Sequence, residues 1–247
     1  GGLTRLASQY GGLATLAGVN IPSGNSNQKT IGIAKLQSRR FIADFVERRN
    51  ILPELMAASA YNINTGDLSY DLAIFDPETR IWTRDVEPPS QKKPSSQQAF
   101  LKMTQILSVT EDIATGFVTV SIENLSPLIA SEWVMWLVDD LNREMMLEAT
   151  AESEQSINYL TEQLQNTQIV ALQQVFYSLI EEQTKTLMLA NSRPEYLFQT
   201  IDPAIASEAR YGPNRRLTVV LGTIFGGILS VLGVLIRHYS FRIVEDA

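Results

Sequence analysis

Apolar and polar positions divide the chain into segments of clearly different period. From Thr30 to Arg49, Ala34, Phe41, Ile42, Phe45 and Val46 recur near helical spacing, with Lys35, Arg39, Arg40, Arg48 and Arg49 on the polar side. This pattern predicts one surface helix. Its basic side reads as a solvated face, with lipid headgroups or a neighbour's acidic face as the functional alternative. Pro53 restricts Leu52 and marks a break, after which a short helix through Ala60 is expected. Asn62 to Gly66 is turn chemistry, and Leu72 to Phe75 reads as a short strand. Glu87 to Gln98 (EPPSQKKPSSQQ) is polar and Pro-rich and predicts an exposed linker. Between Leu107 and Ile122 the period changes to two: Val118, Val120 and Ile122 share one side, with Leu107 and Val109 on the partner strand. Thr115-Gly116 supplies the turn of a β-hairpin.

Ser126-Pro127 then reads as an N-cap and first helical residue. From Leu128 to about Ala190 there is no Gly and no Pro. Apolar positions run Ile129, Trp133, Trp136, Leu137 and Leu141, then Ile157, Leu160 and Leu164, then Leu172, Val175, Phe176 and Leu179. Polar composition around Gln165 to Gln168 suggests a break. Two long helices are expected, the first of about 35–40 residues and hence about 55 Å. Helices of this length and polarity need a partner along their reach. Trp133, Trp136, Leu160 and Leu164 are therefore candidate oligomer-interface residues; the tryptophans could stack on sugars, but their register puts them on the packing face and favours core or subunit interface. Arg193-Pro194 ends the helical region, and Tyr196 to Ile201 (YLFQTI) reads as a last strand.

Leu217 to Ile236 carries no charge and no Pro over roughly the 20 residues a bilayer requires, which predicts a transmembrane helix. Pro213, Arg215 and Arg216 flank it on one side and Arg237 on the other; the charge balance leaves its orientation open. Gly222 and Gly226 form a small-xxx-small pair, and Gly227 and Gly233 add flat surface for helix packing.

Composition narrows the chemistry. A formal net charge of −7 argues against nucleic acid as the main partner. The absence of cysteine removes disulfides and thiolate chemistry, and the single histidine, His238, lies in no Ser-His arrangement. Adjacent acids at Asp139-Asp140, Glu181-Glu182 and Glu245-Asp246 point about 100° apart on a helix and read as solvated faces. The Gly-rich GGLATLAGV at Gly11 to Val19 lacks the Lys-Ser/Thr of a phosphate loop and reads as a packing loop. No enzyme, cofactor or metal site is expected.

Taken in order, GGLATLAGV, SVTEDIATGFVTVSIENLSPLIASEW (Ser108 to Trp133), EATAESEQSINYLTEQLQNT (Glu148 to Thr167) and LIEEQTKTLMLANSRPEYLFQTIDPA (Leu179 to Ala204) resemble the Wzz-type chain-length determinants, or polysaccharide co-polymerases. The apolar segment preceded by Pro213 and Arg216 extends the resemblance. It implies an α+β periplasmic domain with very long protruding helices and a C-terminal transmembrane helix. The family's first transmembrane helix is absent from this chain and is expected to precede it.

Residues 1–127 are then the first part of a membrane-proximal domain, 128–191 the helical protrusion, and 192–212 the return strand and loop. Residues 213–237 are the membrane helix and 238–247 a short cytoplasmic tail. The resemblance further implies a ring-shaped homo-oligomer, commonly octameric, in the bacterial inner membrane. It would be a non-enzymatic scaffold that works with the membrane polymerase and regulates the modal length of O-antigen, in lipopolysaccharide biosynthesis, or of a related surface polysaccharide. The nascent polysaccharide and the lipid bilayer are further implied partners. A membrane-anchored extracytoplasmic sensor or ligand-binding domain is the alternative.

Overall fold

The computed structural model describes residues 25–208 and 219–233. Two compact units divide at Ala206/Ser207. In the first, α1 (Asn25–Leu36), α2 (Arg39–Arg48), α3 (Leu52–Ala57) and α4 (Ser96–Ile106) pack around the base of α5 (Pro127–Asn166), and α6 (Val170–Ser192) returns along α5. Three antiparallel pairs accompany them: β1 (Ala58–Tyr61) with β2 (Leu68–Tyr70), β3 (Phe75–Asp76) with β4 (Ile81–Trp82), and β5 (Leu107–Glu111) with β6 (Val118–Ile122).

The expected fold class is corrected in two respects. The chain is 58% helical, and its strands among the described residues form three separate two-stranded ribbons. Among the described residues, moreover, no helix is long and apolar enough to cross a membrane, which overturns the expected C-terminal transmembrane helix. The described helical residues of the second unit are 219–233. The flanking Pro213, Arg215, Arg216 and Arg237, like the loop Gly11 to Val19, lie outside the described residues.

The predicted helix over Thr30 to Arg49 is two helices. The chain turns at Gln37, where Ser38 adopts an extended backbone and its hydroxyl accepts from the Phe41 amide at 3.3 Å, capping α2. Phe41, Ile42, Phe45 and Val46 are buried, and α2 ends on Asn50, whose φ of 53° and bonds Asn50 N–H to Glu47 O and Ile51 N–H to Val46 O form a Schellman motif. Ser95 caps α4 through a reciprocal box with Gln98. The Pro-rich segment before it is more tethered than its composition suggests, because Arg84 donates to Lys92 O at 2.7 Å and to Gln91 O at 2.9 Å.

One turn is used three times. Asn62, Asp76 and Asp112 each accept from the backbone amide two residues on, and each begins a six-residue reversal ending at Asp67, Ile81 or Phe117. The fifth position is left-handed in all three: Gly66 at φ 78°, Gly116 at φ 72° and Arg80 at φ 56°. Two of these hairpins follow directly on a helix, α3 into β1 and α4 into β5, so the chain contains two similar helix–hairpin units.

The core joins Leu36 of α1, the apolar face of α2, Ala99 and Met103 of α4, and Trp133, Leu137, Leu141 and Met145 of α5. Those four α5 residues lie at successive intervals of four and so form one stripe.

Candidate functional site

The long helix pair begins where Ser126 caps α5, its hydroxyl accepting from the Ile129 amide at 3.4 Å, with Pro127 at the first helical position. Helix α5 runs for 40 residues, and α6 for 23 after a short connection that includes Thr167 and Gln168. Two environments divide α5. Up to Met145 it contributes to the core; beyond it only Ser153 and Leu160 are buried, and α6 buries only Ala190. Small Ser153 and Ala190 permit close approach of the two backbones.

At the base, Asp140 has a side-chain exposure of 1% and is gripped by arginines from two helices. Arg49 donates through Nε at 3.2 Å and Nη2 at 2.7 Å, a forked contact with both carboxylate oxygens. Arg48 lies at 3.4 Å, and Arg143 Nη2 donates at 3.1 Å. The Arg49 guanidinium also stands 5.0 Å from the Trp136 ring centroid. One turn further along α5, Lys35 donates to Glu144 at 2.9 Å and to Glu148. Burial works against its charge, but hydrogen bonds to the two carboxylates and their negative charge outweigh it and raise the Lys35 pKa. These contacts lock the α1–α2 corner onto α5.

A third tether replaces the predicted strand over Tyr196 to Ile201, which is irregular backbone. Asn142, buried on α5, accepts from the Leu197 and Phe198 amides at 2.9 and 2.8 Å and donates to Phe198 O at 2.9 Å. One side-chain amide thus satisfies polar groups that a neighbouring strand would otherwise pair. Gly32 of α1 permits the close approach of this segment: a Cβ there would come within 2.2 Å of Leu197 Cδ2.

Two readings of charge are corrected by these contacts. The basic side of Thr30 to Arg49 is a solvated face only in part: Arg40 is exposed, whereas Lys35 and Arg49 are committed to carboxylates and Arg39 lies 5.6 Å from the Phe100 ring. Asp139-Asp140 is likewise split, with Asp139 exposed and Asp140 in the core. A signal for this was present in the sequence: Asp140 stands three residues after Leu137 and four after Trp136, hence within the apolar stripe. Nothing comparable announced Asn142 as a clamp.

Of the candidate interface residues, Trp133 is fully enclosed in the intramolecular core and Leu160 is covered within the helix pair. Trp136 and Leu164 are half-buried. The uncovered apolar side chains of the outer pair are instead Leu147, Tyr159, Val170, Tyr177 and Met188, the last 68% exposed. In the second unit, Gly222, Gly226, Gly227 and Gly233 have nothing within 4 Å of where a Cβ would stand. Chemically, the base is an ion-paired clamp, whereas the outer pair leaves apolar side chains exposed. Among the described residues no group of His, Asp or Glu is placed to hold a metal. No protein-family model matches the chain, and no curated protein matches it significantly.

Proposed function

We propose that this protein is a polysaccharide co-polymerase that sets the modal chain length of O-antigen or a related bacterial surface polysaccharide. It acts as a non-enzymatic homo-oligomeric scaffold at the inner membrane, on the periplasmic side, beside the membrane polymerase. The carrying observation is the helix pair: beyond Met145, α5 and α6 keep large apolar side chains uncovered while their base is tied to a well-packed core. Such side chains are compatible with soluble protein only in moderation, and a repeated partner surface would cover them. The order of segments resembling the Wzz-type determinants supplies the kind of scaffold.

Deletion of the gene should collapse the modal cluster of polysaccharide lengths on an electrophoretic ladder into a broad distribution, and complementation should restore it. An unchanged ladder overturns the reading.

A further inference from the structure

A cavity of about 540 Å³ opens between α2, α3, the β3–β4 hairpin and the start of α4, away from the Asp140 clamp. Its volume is in the range of small-molecule sites, roughly 300–1,000 Å³. Tyr70 and Trp82 line it around Phe75, with ring centroids 5.8 Å (Tyr70–Phe75) and 4.9 Å (Phe75–Trp82) apart. Glu54 lines it too: one carboxylate oxygen accepts from the Tyr70 hydroxyl at 3.3 Å, while Oε2 is shielded from solvent with no hydrogen-bond partner. Burial, and then the Glu54 charge, raise the Tyr70 pKa and keep that phenol protonated.

Arg80 makes the site unusual. It occupies the left-handed position that Gly66 and Gly116 fill in the sibling turns, so a side chain is retained where glycine is the relaxed choice, and that side chain lines the cavity. Lys93 lies on the same wall, and Glu47 and Glu54 balance the two cations.

We propose that this cavity binds one or two residues of a neutral saccharide, the apolar face of a sugar ring resting on Trp82 and Tyr70 and its hydroxyls meeting Glu54 and Arg80. The balance of charge disfavours a phosphorylated or strongly anionic ligand, and the charged side chains of the wall disfavour a wholly apolar one. Sugar hydroxyls can donate to a wall carboxylate and accept from Arg80, and aromatic rings flanked by polar groups suit the two-faced chemistry of a pyranose. The identity of the saccharide as a surface-polysaccharide repeat rests on the co-polymerase reading; the cavity itself does not.

The test is saturation-transfer NMR on the purified full chain, with polysaccharide released by mild acid from the encoding strain as the probe. Wild type should show ring-proton transfer, and Trp82→Ala and the nearly isosteric Glu54→Gln should each weaken binding at least tenfold with unchanged circular dichroism. Absence of transfer to wild type, or equal binding by folded Glu54→Gln, overturns the proposal. In cells, a gene deletion that alters the ladder while Glu54→Gln binds as wild type rejects the cavity and retains the scaffold. Cavity-dependent binding with an unchanged deletion ladder does the reverse.

Discussion

Inward of Met145, α5 presents Trp133, Leu137, Asp140, Leu141 and Asn142 to a packed body; outward of it, the same helix meets little besides α6. Neither part is distinguished by helix propensity, and both continue without interruption. What differs is how each residue is held. The inner part is fixed by apolar enclosure, a buried carboxylate and an amide clamp, so its side chains are costly to change. The outer part has the few interlocking contacts of a two-helix hairpin, which leaves Leu147, Tyr159 and Met188 free to meet something else. Tightly held and exposed side chains are thereby separated along one helix.

The largest expected effect breaks the inner part. Asp140→Ala leaves Arg48, Arg49 and Arg143 without their shared counter-charge and should cost about 3–5 kcal/mol in urea denaturation. A loss under about 1 kcal/mol would mean that water already serves those arginines. Asn142→Ala should cost about 2–3 kcal/mol, because backbone groups of Leu197 and Phe198 lose their partner. Hydrogen exchange at those two amides should accelerate more than elsewhere, and uniform exchange would argue against a local clamp.

In the outer part, Leu160→Ala should cost about 2 kcal/mol, the low end for a buried leucine, since a helix pair can close over the space. Exposed positions sharpen the contrast: Leu147→Ser and Met188→Ser should leave monomer stability within about 0.5 kcal/mol. Light scattering should nevertheless show a shift in assembly, and unchanged assembly would remove these side chains from the interface.

The smallest effect concerns the turns. The Asp76 and Asp112 carboxyls are held below the usual range first by the Thr79 and Thr115 hydroxyls and then by backbone amides. Their contribution is therefore present above the unfolded value of about 3.9 and lost as pH falls through the lower folded values. Carboxyl NMR titrations should show both midpoints below the value of about 3.9 of an unstructured aspartate; midpoints at that value would remove the turn bonds.

Much of the element order was legible in the sequence. The hairpin between Leu107 and Ile122 and the helix end at Asn166 coincide with the period-two alternation and the polar break read there. The β1–β2 hairpin was legible only as its turn, because Ala58, Ser59 and Ala60 are small and carry no alternating apolar signal. Tyr196 to Ile201 misled in the opposite direction: its residues favour strands, but among the described residues no strand lies alongside, and Asn142 takes the backbone bonds instead. At 217–236 hydropathy alone set the expected span, and among the described residues no helix is long and apolar enough to cross a membrane.

By itself the sequence determined the local matters: the cap at Ser126, the turns at Gly66 and Gly116, and the apolar stripe that orients α5, because each depends on residues within a few positions of one another. Only the tertiary structure decided which charges are buried, where the Tyr196 segment docks, and that Tyr70, Trp82, Glu54 and Arg80 line one cavity. Most of those contacts join residues far apart in the chain; the apolar stripe signalled Asp140, but its partners from α2 were set by tertiary packing.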